Sequence, residues 1–99
     1  MTTRETISKS VAASVREIVG REMKPFGLVS VDVTAAEDHD GDPILWIDAN
    51  YGPGGDPIER EVVAGLVTKL RDRLWDLGET RFPHVRHHFL EEQRVAGDS

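Results

Sequence analysis

The segment from Leu28 to Tyr51 constrains this chain more than any other. Leu28 to Glu37 alternates strictly, with Val29, Val31, Val33 and Ala35 pointing one way and Ser30, Asp32 and Thr34 the other, the pattern of a half-buried strand. A polar turn, Asp38-His39-Asp40-Gly41-Asp42-Pro43, interrupts it. Ile44 to Tyr51 then resumes the alternation, with Leu45, Ile47, Ala49 and Tyr51 on the core side. So short a connection predicts an antiparallel hairpin.

Two helical segments flank that hairpin. From about Arg4 to Lys24, the residues Ile7, Val11, Val15, Ile18 and Val19 form one apolar stripe. Thr2 and Glu5 have the reciprocal capping spacing, and Pro25 ends the helix. After Gly52-Pro53-Gly54-Gly55, a flexible connector by composition, Asp56 reads as an N-cap with Pro57 at the first helical position and Glu59 at the third. Ile58, Val62, Leu66, Leu70 and Leu74 repeat every four residues, Val63, Val67 and Leu77 widen the stripe, and Gly78 is a natural stop. Trp75 reads as a core-edge residue. Pro83 to Leu90 alternates Val85, His87 and Phe89 against His84, Arg86 and His88, a third strand, and Glu91 to Ser99 reads as a frayed tail.

The order α-β-β-α-β predicts an α+β fold: one three-stranded mixed sheet with two helices packed on one face. A right-handed crossover brings the third strand parallel to the second, with pairing beside the first strand, which would then be central, as a further option. The 99 residues fit a single domain spanning 1–99 with its core at about 4–90. The chain has no cysteine, no secretory signal and no apolar run of membrane-spanning length, so a soluble, cytoplasmic protein is expected. Against 18 acidic residues stand 12 basic ones, a formal net charge of −6. That balance disfavours a polyanionic partner and favours a basic one.

The motifs with chemical overtones give no catalytic, cofactor or metal site. His84 and His88 share a strand face about 13 Å apart at about 3.3 Å per residue, too far for one ion, and His87 faces away; a pH-sensitive interface suits them better. The acidic turn has Gly41 too early and Pro43 at its exit for a calcium loop. The glycine-rich run lacks the Lys and Ser/Thr of a phosphate loop, and Asp56 occupies the helix start with a negative charge. Asp32 and Asp48 are placed to face each other across the hairpin, but on an open sheet face rather than in a cleft. Enzyme is the class these residues argue for least.

Two surfaces ask for an explanation. Ile44 and Trp46, joined by Leu28, fall on the sheet face opposite Leu45 and Ile47. Helices cover only one face, so Trp46 there is a contact anchor; an inverted face assignment would put it in the core. The last strand, with His84, Arg86 and His88, is the other surface, a sheet edge open to pairing.

The element order from Ile7 to Leu90, together with Ala64-Gly65 in the second helix and Arg81-Phe82-Pro83-His84-Val85-Arg86, resembles the domain of ribosome-binding factor A, a variant of the type II KH fold. The resemblance implies that fold, with an Ala-Gly kink in the second helix. The strings Gly41-Asp42-Pro43-Ile44-Leu45-Trp46-Ile47, Gly65-Leu66-Val67-Thr68-Lys69-Leu70-Arg71 and Leu77-Gly78-Glu79-Thr80-Arg81-Phe82-Pro83 are similar to small uncharacterised bacterial proteins regarded as antitoxin-like companions of toxin-type partners. That resemblance implies protein binding. The expected function is therefore a non-enzymatic interaction module, antitoxin-like or a companion subunit, binding a protein partner or itself as a homodimer through Ile44, Trp46, His84, Arg86 and His88. The alternative is an RNA-binding domain of ribosome-assembly type, using a local basic face of Lys69, Arg71, Arg73, Arg81 and Arg86.

Overall fold

The computed structural model describes residues 7–89. The Thr2–Glu5 capping pair, Leu90 and the 91–99 tail lie outside them. Helix α1 runs Lys9–Met23 and is capped by Ser8, whose hydroxyl accepts from the Val11 amide at 3.1 Å. Its stripe of Val11, Val15, Ile18, Val19 and Met23 is buried. Pro25 ends the α-helix by way of a single 3-10 turn, Lys24–Phe26, and Gly27 (φ 85°) reverses the chain.

Strand β1 is Leu28–Glu37 and β2 is Pro43–Tyr51, paired antiparallel. The acidic turn between them is held by Asp38, whose carboxylate accepts from the amides of Asp40 and Asp42, each at 2.9 Å. One detail of the alternation fails. Leu28 sits opposite Tyr51 and Ser30 opposite Asn50, so Val29 is the extra residue of a bulge. Leu28 consequently packs against the core instead of joining Trp46, and Val29 is 65% exposed.

Helix α2, Arg60–Asp76, starts later than its capping signal predicts. The Asp56 amide donates instead to the Pro25 carbonyl, and the Gly52 amide to Gly27. Gly55 lies so close to the Phe26 carbonyl that a Cβ would collide with it. The glycine run is therefore fastened to the turn after α1 rather than a flexible connector. Leu66, Leu70 and Leu74 are buried beneath α2, and the helix is continuous through Ala64-Gly65, where the Thr68 hydroxyl bonds back to the Ala64 carbonyl at 3.2 Å. Trp75 is 75% exposed, not a core-edge residue, because one step past Leu74 turns it about 100° off the buried stripe. Leu77 is exposed as well, since it has left the helical path as the cap residue (ψ 1°), ahead of Gly78 at φ 80°.

Strand β3, Phe82–Phe89, pairs parallel to β2 along its whole length. The sheet order is β1-β2-β3, so the central strand is β2 and not β1. The burial of β2 matches that place: Leu45, Ile47, Ala49 and Tyr51 are each 0% exposed and join both helices in one core cluster. The fold is thus α+β, with a three-stranded mixed sheet whose inner face carries the two helices. Among the described residues, no helix is long and apolar enough to cross a membrane.

Candidate functional site

The sheet register builds the outer face. Thr34, Trp46 and His84 are aligned across the three strands, as are Asp32, Asp48 and Arg86. Asp48 organises the second row. Its Oδ1 accepts from Arg86 Nε at 2.7 Å and its Oδ2 from Arg86 Nη2 at 3.0 Å, a bidentate pair. His88 Nε2 reaches the same Oδ1 at 2.8 Å. The Arg86 hydrogen bonds, with a further one from His88, hold the Asp48 carboxyl below its usual range against the opposing effect of burial. So fixed, the guanidinium lies 4.0 Å from the Trp46 ring centroid.

From Trp46 the ring contacts continue along the strand ends. His84 is 5.4 Å from Trp46 and 5.1 Å from Phe82, and the Arg71 guanidinium of α2 lies 5.1 Å over the Phe82 ring. Trp75 and Phe82 border one depression at the end of α2. Four of the five predicted contact residues, Trp46, His84, Arg86 and His88, thus share one face, three half-buried and Arg86 exposed. Ile44 belongs to the same row but is only 2% exposed, so its side chain is packed rather than presented. Phe82 is the participant that residue-by-residue reading missed, together with the pairing of Asp48 to Arg86; the parallel register of β2 and β3 is the signal for both.

Inside the sheet, His87 faces the core. Its Nδ1 is 2.7 Å from the Tyr51 hydroxyl. Burial pushes the Tyr51 phenol up to about 12, so it stays protonated and shares a neutral hydrogen bond with Nδ1. Nε2 is buried with no partner among the described residues. Burial, assisted by neighbouring His88, lowers the His87 pKa. The three histidines of the strand therefore divide between opposite faces.

The residues of the predicted basic face are mostly engaged with carboxylates. Lys69 pairs with Glu22 of α1 (3.4 Å), Arg73 with Glu17 of α1 (3.8 Å), Arg81 with Glu79 (2.8 Å) and Arg86 with Asp48. Arg71 caps Phe82. The carboxylates of Asp38, Asp40 and Asp42 each place an oxygen within 4.8 Å of the others, at an exposed turn where Asp38 already serves two amides. Asp32 and Asp48 face each other in register as expected, yet each has its own donors, Asn50 Nδ2 at 3.3 Å for Asp32. Comparison with family models, with curated proteins and with solved structures finds no match to the chain.

Proposed function

We propose that this domain is a non-enzymatic interaction module, a companion subunit of antitoxin-like type, that binds a protein partner or a second copy of itself through the outer sheet face. The observation that supports this reading best is the fixed indole. Trp46 is half-buried on the face opposite the two described helices and held by the Arg86–Asp48 pair. A pre-positioned Trp next to Arg has the composition of a binding hot spot, because little side-chain freedom remains to be lost on contact. The ion pairing of Lys69, Arg73, Arg81 and Arg86 counts against RNA as the partner, since a phosphate would have to displace a carboxylate at each.

The test is paired capture from the native host with the full chain and with Trp46→Ala as baits. The reading expects a protein retained by the first and lost from the second, with unchanged circular dichroism, or a native mass that falls from dimer to monomer. Retention of nuclease-sensitive RNA alone, or identical retention by both baits, overturns it.

A further inference from the structure

The two edges of the sheet are not finished alike. At the β1 edge, Val29 bulges out of register and the Arg16 side chain of α1 donates to the Val31 carbonyl at 3.4 Å. Bulges and capping side chains are the means by which proteins close a sheet edge to further strands. β3 has neither. Its eight residues keep an unbroken register with β2, and among the described residues no side chain bonds to the backbone of His84–Phe89. Its inward row, Val85, His87 and Phe89, is only half-buried, so apolar surface continues to the edge.

We propose that the β3 edge is a strand-addition site for a basic, extended segment of another protein; this rests on the interaction reading above. Backbone pairing supplies the affinity in that mode, and alternate side chains supply the selection. Inward residues of the added segment would be apolar, extending the cover over Val85 and Phe89. Outward residues meet the rings of Phe82 and His84 at the end of the sheet that carries the acidic turn, because Phe82 is level with Ile44 at the start of β2. The one arginine of that row, Arg86, is neutralised by Asp48, and the chain as a whole carries −6. Lysine or arginine in the outward positions answers both charges. A second copy of this chain fits less well: two-fold pairing of β3 sets the His84–Arg86–His88 row against itself between two molecules of like net charge.

A synthetic probe tests this directly. It is a peptide the length of β3, 8 residues, alternating valine and lysine, titrated at low salt into the isotopically labelled full chain. Binding should slow amide exchange on alternate residues of His84–Phe89. N-methylation of one alternate set of peptide amides should weaken binding at least about tenfold and of the other set hardly at all, since only one set faces the edge. Glutamate in place of lysine should weaken it by a further factor of about ten. Val29→Ala, on the opposite edge of the sheet, should leave this binding within about threefold, which ties the binding to the β3 edge. Unchanged β3 amides, equal effects of the two methylation patterns, or a preference for the glutamate peptide overturns the proposal. If the capture experiment fails while β3 protection is seen, the indole reading falls and the edge site stands.

Discussion

β2 serves two faces with different physics. Inward, Leu45, Ile47, Ala49 and Tyr51 are closed from water among residues of both helices, where each removed CH₂ is worth about 0.8 kcal/mol. Outward, Trp46 and Asp48 are held by one guanidinium and one imidazole in partial contact with solvent. Exposed ion pairs of that kind contribute about 0–1 kcal/mol each. The inner face supplies the larger share of the apolar burial. The outer face fixes the shape and charge of a partly solvated surface, and this asymmetry makes it the candidate for recognition.

Neighbouring residues that point opposite ways give the sharpest tests. Leu45→Ala should lower unfolding stability by about 2–5 kcal/mol, from lost burial and the cavity left behind. Trp46→Ala should cost about 2–3 kcal/mol, from the lost ring burial and the cation–π contact, with no core cavity left behind. Urea unfolding of the two variants measures both, and equal losses would mean that the outer face is a second core. His87 and His88 make the next pair. Because the folded-state pKa of His87 is depressed, the unfolded chain takes up the proton first as pH falls below 6.5, so stability drops there with a slope of at most about 1.4 kcal/mol per pH unit. Thermal melts across that range should lose this slope in His87→Phe and keep it in His88→Phe. The reverse would break the assignment of faces.

The smallest effect belongs to Asp48→Asn, about 0.5–1 kcal/mol at neutral pH. The Asp48 pKa is lowered from 3.8 in the folded state. Its contribution is therefore complete above that value and vanishes as pH falls through the folded one, so the variant and the parent should converge at acid pH. The same substitution should release Arg86 and increase the mobility of the indole, readable as a change in Trp46 fluorescence anisotropy once Trp75 is replaced by Phe.

Much of the fold was legible because periodicity is a direct consequence of which side of an element is buried. The stripe Val11–Val15–Ile18–Val19, the alternation of β2 and the outward row His84–Arg86–His88 all follow from it. What escaped notice depended on contacts between distant backbones. Val29 and Leu28 exchange faces through a bulge that no local pattern marks. Asp56 has every attribute of an N-cap, but its amide is committed to Pro25, 31 positions earlier, and the helix begins only at Arg60. Residue type suggests a core-edge place for Trp75, but one helical step beyond Leu74 turns it to solvent. In the candidate site, Trp46, His84, Arg86 and His88 could be read from alternation alone. The Asp48–Arg86 link could not, because it depends on which strand lies in the middle.

Arg86 and Asp48 stand 38 positions apart along the chain, and the indole is clamped only when they meet. The hairpin closes over a short turn, whereas β3 must wait for α2 to be laid down and close a much longer loop, which is slower. The candidate surface is thus finished by the last described element to arrive. A chain whose synthesis has not yet reached β3 would display a loose Trp46 without Arg86 beside it, and so would lack the completed surface.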